Sequence, residues 1–367
     1  MSLFSKLLKK KETPPRSYAD FWNWFRQHEK HFFNTVQTRQ NIHAVFFDPM
    51  SAQLQHLKDG YFFLVGMSAS GVADMIFTAD GNLKNIVFVE ELVAAAPSLS
   101  GWQFSALKPS LDIENVNIEM GGLQFNKDNL FFHAMQDPAY PDEIDITLVY
   151  TTWAEVDRDT IINGAYIFLD NYLGELDFAT TIDNLTITGP SGITQELIPV
   201  EKLKSYLTWR QKEFLEKYEG LRHDTNEDVY SLFEATIEDR YPLLATINET
   251  LLQWDEKASH PWMCNILFRY DGSANNGLPG SEDYELLNTI EDEITALLKD
   301  NEGYLNIGRE TGKDEKELFF ACRDFREPSK VFYNIQNKYA DRFSIKYALY
   351  KDKYWKHLER YHKSRTL

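Results

Sequence analysis

The 367 residues contain only two cysteines, Cys264 and Cys322. That excludes a disulfide framework and a metal site of four thiolates. Each lies in an apolar, strand-like run and reads as a buried thiol of a reducing, cytoplasmic compartment. The chain also lacks any apolar run near the roughly 18 to 20 residues that span a bilayer. Positive charge is scarce: 38 Lys and Arg stand against 56 Asp and Glu, a net charge of -18. Phosphate recognition needs concentrated cations, so nucleic acid is disfavoured as the main partner, and the acidic excess reads as a solubility device.

What is present is a globular composition, 43% hydrophobic and 26% charged, long enough for two domains. Aromatic residues reach 14%, an excess that fills cores or interfaces. The opening MSLFSKLLKKKETPP mixes Lys6, Lys9, Lys10 and Lys11 with a short apolar run. A secretory signal places its charges ahead of a longer apolar core, so residues 1–16 read as a flexible basic tail.

The clearest stretch runs from Asp283 to Phe325. Leu287, Ile290, Ile294 and Leu297 recur at helical spacing, Asn301 to Gly303 stop the helix, and two strand-like runs flank the polar turn Thr311 to Lys316. Upstream, Ser17 opens an aromatic helix from about Ala19 to Val36, with Asp20 three residues on as a weakened capping box. Strands are predicted at Tyr61 to Met67, Val72 to Asp80, Gly101 to Lys108, Ile118 to Phe125, Leu130 to Gln136, Glu143 to Thr152 and Asp183 to Gly189. Helices are predicted at Met50 to Leu57, Leu83 to Ala96, Arg158 to Leu173 and Pro199 to Tyr218. The polar segment 221–228 reads as a linker between a domain of residues 17–220 and one of residues 229–367. Beyond it come strands at Val229 to Ile237, Leu243 to Trp254 and Trp262 to Asp271, then the helix and hairpin already described. A helix from Ser329 to Arg342, a strand from Phe343 to Tyr350 and a closing helix near Tyr354 complete the chain.

The recurrence of strands and helices predicts an α+β protein of two tandem domains, an internal duplication. Each would be an antiparallel sheet with helices on one face, in the ferredoxin-like, split βαβ plan. The runs IDITLVY and LFFAC are apolar on both phases, which predicts that the second face of each sheet is covered by the other domain or another subunit.

No stretch carries a complete reactive motif. His28-Glu29-Lys30-His31 is one residue short of H-E-x-x-H and reads as ordinary packing or surface histidines. Gly66 to Gly71 fails the G-x-S-x-G elbow and reads as a hairpin turn. The Gly-rich loop Gly272 to Gly280 lacks a P-loop ending, and Glu282 and Asp283 already sit at the following helix start. Asp142, Glu143 and Asp145 read as a solvated strand edge, and Glu291, Asp292 and Glu293 fan around a helix, poorly placed for acid/base work. No metal or cofactor is expected. The residues that remain as a candidate binding surface are Arg309, Glu310, Arg323 and Asp324, which need not meet, with Tyr354 and Trp355 of the basic, aromatic closing segment.

From about Asp228 to Tyr361 the chain resembles a bacterial family, domain of unknown function 695. The matching features are Glu291-Asp292, Gly303-Tyr304 with Gly308, the aromatic strand before Arg323-Asp324, and Asp352 with Trp355. The resemblance implies no activity and no catalytic residues. Some members are joined to a domain similar to the regulator of ribonuclease E activity B, which implies regulatory binding, but residues 17–220 do not look like that domain. The expectation is a non-catalytic, protein-binding or regulatory module with a protein partner or as a homodimer. The alternatives are an enzyme or small-ligand protein with a cleft site, and a regulator of RNA metabolism.

Overall fold

The computed structural model describes residues 14–237 and 240–361; most of the expected basic tail lies outside them. The chain divides after Pro109 into two compact units. The segment 221–228 lies within the second unit, where it passes from one sheet to the next.

In the first unit, α1 (Tyr18–Thr38) begins where the Ser17 hydroxyl accepts the Asp20 amide, satisfying one of the open N–H groups of the first turn. A π-helical segment, His43–Phe47, leads into α2 (Asp48–Leu57). The hairpin β1 (Phe62–Met67) and β2 (Ala73–Thr78) turns at Ser68, as read from the sequence. After α3 (Leu83–Ala94), β3 (Trp102–Ala106) joins β2 in parallel, so the order is β1-β2-β3. The core is aromatic: Phe21, Trp22, Phe25 and Phe32 of α1 pack with Phe46, Phe77 and Trp102, all buried. His28 packs against Phe32 and bonds the Trp24 carbonyl through Nδ1, while His31 is exposed, which agrees with ordinary histidines.

The second unit contains a small hairpin, β4 (Ile118–Met120) with β5 (Leu123–Phe125), and two larger sheets. The four-stranded sheet has the order β8-β7-β6-β9, from β6 (Leu130–Met135), β7 (Asp145–Tyr150), β8 (Asn184–Thr188) and β9 (Ile198–Pro199). Between β7 and the parallel β8 come α4 (Arg158–Leu173) and α5 (Glu175–Thr181). The hairpin, helix and parallel strand of the first unit therefore recur here, a crossover the sequence reading took for purely antiparallel pairing. Ile161, Phe168 and Leu169 of α4 bury against Phe132, Ile146 and Leu148, and α6 (Leu203–Lys217) adds Leu203 and Leu207. Gly164 is the close contact on α4, because a Cβ there would lie 2.2 Å from the Phe125 ring.

The six-stranded sheet is antiparallel throughout, in the order β10-β11-β13-β14-β12-β15. Its strands are β10 (Tyr230–Ile237), β11 (Tyr241–Asn248), β12 (Trp262–Arg269), β13 (Tyr304–Gly312), β14 (Glu315–Cys322) and β15 (Ser344–Lys351). The predicted strand Leu243 to Trp254 ends early: the Asn248 side chain accepts the Leu251 amide and starts the short helix α7 (Glu249–Leu252). The predicted hairpin is present, its turn made by Lys313 and Asp314, both at positive φ. Helices α8 (Ser281–Leu297) and α9 (Arg326–Lys338) bury Leu287, Ile290, Ile294, Val331, Phe332 and Ile335. Phe332 meets Phe320 of β14 and Tyr347 of β15.

The opposite face, with Ile247, Met263, Leu305, Ile307, Phe319 and Ala321, is covered by Trp355, Leu358 and Tyr361. The two-sided apolar run LFFAC of β14 thus finds cover for this face in the chain's own closing segment, which ends in a 3-10 helix over Lys356–Tyr361. Both cysteines are buried on β12 and β14. Among the described residues no helix is long and apolar enough to cross a membrane.

Candidate interaction surface

A dense polar cluster joins the two larger sheets of the second unit. Asp142 receives Lys217 at 2.9 Å, the Tyr218 hydroxyl at 2.8 Å and the Tyr354 hydroxyl at 2.9 Å. Glu143 meets Lys356 at 2.7 Å, and Asp183 takes Lys351 at 3.0 Å and Lys353 at 2.8 Å. Two of these carboxylates come from the loop before β7 and one from the turn before β8; three of the lysines come from the end of β15 and the closing segment. The sequence reading of Asp142 and Glu143 as a solvated edge is therefore overturned. These acids are mostly covered, because partners some 210 residues away reach them.

The electrostatics follow from that packing. Burial raises the Asp142 carboxyl, but Lys217 and the two tyrosine hydroxyls outweigh it and hold the group below the ordinary carboxylate range. Burial pushes Glu143 up in spite of Lys356. Burial holds Lys351 down to about 8 against the pull of Asp183. A pocket of about 190 Å³ opens at this seam, lined by Glu143, Asp183, Lys351, Lys353 and Lys356 among others. Every one of those charges already faces an opposite charge, so the seam acts as a bolt between sheets.

The residues singled out from the sequence are dispersed. Arg309 pairs with Glu291 of α8 at 2.7 Å, beside Lys316, which lies 2.8 Å from the same carboxylate. Glu310, next along β13, points to the other face and meets Arg360 at 2.8 Å. Arg323 holds the chain at 218–221 through the carbonyls of Leu221 and Tyr218. Asp324, just ahead of α9, accepts the Arg326 amide at 2.7 Å and pairs with the Arg326 guanidinium at 2.8 Å. Tyr354 belongs to the bolt, and Trp355 is 1% exposed, its indole donating to the His260 carbonyl at 3.0 Å. The Gly-rich loop is likewise engaged: Asp314 accepts the Gly272 amide and donates its own amide to Gly277. Among the described residues no group of three or more His, Cys, Asp or Glu is arranged to hold a metal ion.

What sequence reasoning missed is the free edge of the six-stranded sheet. Among the described residues β10 pairs on one side only, with β11, over eight residues in unbroken register. Half the N–H and C=O groups of such a strand point away from its neighbour and stand ready for another chain. Tyr230 is 47% and Leu232 62% exposed, with Val229 just before them at 61%. The strand contains no Lys, Arg or Pro, the residues that usually blunt an edge. The opposite edge, β15, does carry such residues, with an exposed Lys346 and with Lys351 at its end. In the first unit β1 is a shorter apolar edge, with Phe62 and Leu64 about half exposed. The available signal was the run YSLFEATI, apolar on both phases with no charge but one glutamate.

At the start of β10 a shallow bowl of about 640 Å³ is lined by Val229, Glu249, Thr250, Gln253, Trp254, Asp255 and Glu256. The turn of β11 into α7 builds it: Glu249 donates its amide to the Val229 carbonyl at 2.8 Å, and the Thr250 hydroxyl accepts the Val229 amide at 3.0 Å. The Trp254 ring packs at a tilt against His223, His260 and Trp355.

No curated protein and no solved structure matches the chain. Residues 229–361, the six-stranded sheet with its helices and closing segment, match the family model described as a family of unknown function, DUF695.

Proposed function

We propose that the protein is a non-catalytic binding module of the bacterial cytoplasm, which takes an extended segment of a protein partner on the free edge β10. The observation that carries this reading is the edge itself: among the described residues, eight in regular register pair on one side only, uncharged but for Glu234 and with no Lys, Arg or Pro. Added strands gain affinity from main-chain hydrogen bonds and specificity from alternate side chains, here beside Tyr230 and Leu232. An enzyme reading would have to use the bolt between the sheets, and there the carboxylates and lysines neutralise one another.

The test is selection of displayed ten-residue peptides on the full chain, followed by affinity measurement on the wild type and on Leu232→Lys. That substitution puts a charge on the exposed edge and leaves the core untouched. At least a tenfold loss of affinity is expected. Selected peptides that bind both proteins equally, or a selection that yields none, would refute the edge as the binding site.

A further inference from the structure

We infer that the segment docked on β10 runs antiparallel to it and places a lysine or arginine opposite Glu234. Apolar residues follow it at two-residue steps, opposite Leu232 and Tyr230. This rests on the edge reading above and adds the direction and the charge register of the partner. The backbone fixes which residues meet it. Val229 turns its carbonyl to the Glu249 amide, on the β11 side, and that pair continues the register of β10 with β11. Bonding alternates along an antiparallel strand, so Tyr230, Leu232, Glu234 and Thr236 turn their N–H and C=O groups to the open side. The same four residues are exposed, whereas Phe233 leans on Tyr361 of the closing segment. An incoming strand therefore sets its directly opposite side chains beside these four, on one face.

Glu234 is the one charge among the four, and its neighbour on β11 is Leu244, which leaves the carboxylate unanswered from that side. Opposite charges set directly across an antiparallel pair stabilise it, and like charges oppose it. The sheet uses such a pair already: Arg269 of β12 and Glu315 of β14 stand opposite one another and meet at 2.6 Å. A second copy of β10 contains no Lys or Arg, so paired edge to edge it offers Glu234 no cation, and the occupant is a different chain. Leu232 and Tyr230 favour β-branched or aromatic neighbours, the side chains that pack best across strands. Each pairing in the six-stranded sheet is antiparallel. A seventh strand that continues the pattern therefore meets Glu234 first, then Leu232, then Tyr230, and its basic residue lies on the N-terminal side of the apolar pair.

The experiment uses the full chain and labelled peptides from the selection above, blocked at both ends. Each is made with Lys, Gln or Glu two residues before its apolar pair, and once with its Lys form in reversed order. Anisotropy titrations are run at low and high salt on the wild type, on Glu234→Gln and on Glu234→Lys, exposed substitutions outside the core. On the wild type the Lys form should bind about fivefold tighter than the Glu form, a difference that shrinks in salt. The preference should vanish in Glu234→Gln and invert in Glu234→Lys, which a contact of apolar surface alone would not produce. Equal binding of the three forms, still lost in Leu232→Lys, would overturn the charge register and leave edge docking standing. Tighter binding of the reversed sequence would overturn the direction. A selection without binders would sink the edge reading and this inference with it. A chain that self-associates through β10, and that Leu232→Lys makes monomeric, would give the edge to a second copy and overturn the inference.

Discussion

His260 shows how a single residue here takes its properties from distant neighbours. It is fully buried, its Nδ1 bonded to the Ser259 hydroxyl at 2.8 Å and its Nε2 without a partner. Burial, and then the positive fields of Arg323, Arg222 and His223, lower its pKa from 6.5 to about 3. The folded chain keeps this ring neutral while the unfolded chain protonates it below 6.5. Its contribution is therefore intact above that pH and is lost as pH falls from 6.5 toward about 3. Between pH 7 and pH 5 the wild type should lose about 2 kcal/mol that His260→Asn does not lose, read from urea midpoints at each pH. Equal pH slopes in the two proteins would show that His260 is not the titrating group. Nothing in the sequence around His260 announces this, because the cations acting on it lie tens of residues away.

Among the elements, the hairpin of β13 and β14 was legible in detail and yet hid its tightest constraint. The polar turn and the alternation on either side are local properties, and so were read correctly. The bulge at Ile307 was not, because it shows only in the register shift between Asn306 and Gly308. Gly308 has φ of 146, and a Cβ there would stand 2.2 Å from the Thr246 carbonyl oxygen of β11. Backbone cannot move aside as a side chain end can. Gly308→Ala should therefore destabilise the second unit by about 3 kcal/mol or more, measured by thermal or urea unfolding. Gly66→Ala, with open space around its Cβ position, is the control and should change stability by less than about 1 kcal/mol.

At the scale of the whole molecule, the division after Pro109 and the bolt between sheets make a prediction about fragments. Residues 110–367 retain both sides of the bolt, so this fragment should fold cooperatively on its own. Residues 221–367 would lose Asp142, Glu143 and Asp183, leaving Lys351 and Lys353 covered by protein or newly exposed without their counter-charges. The shorter fragment should then be markedly less stable than the longer one, by urea unfolding followed by circular dichroism. Equal stability of the two fragments would show that the segment 221–228 is a true domain boundary and that the bolt contributes little.

The amino-acid sequence by itself determined the helices and strands, the chemistry of the turns and caps, and the absence of any complete reactive motif. These depend on side-chain period and on residues within a turn or two of one another. The tertiary structure alone decided which faces met: that Trp355 and Tyr361 would close the second face of the six-stranded sheet, that Asp142 would find Tyr354, and that β10 would stand at an edge. The physical reason is distance along the chain. Whether a carboxylate is solvated or clamped, and whether a strand is central or free, depends on partners that only the folded chain brings together.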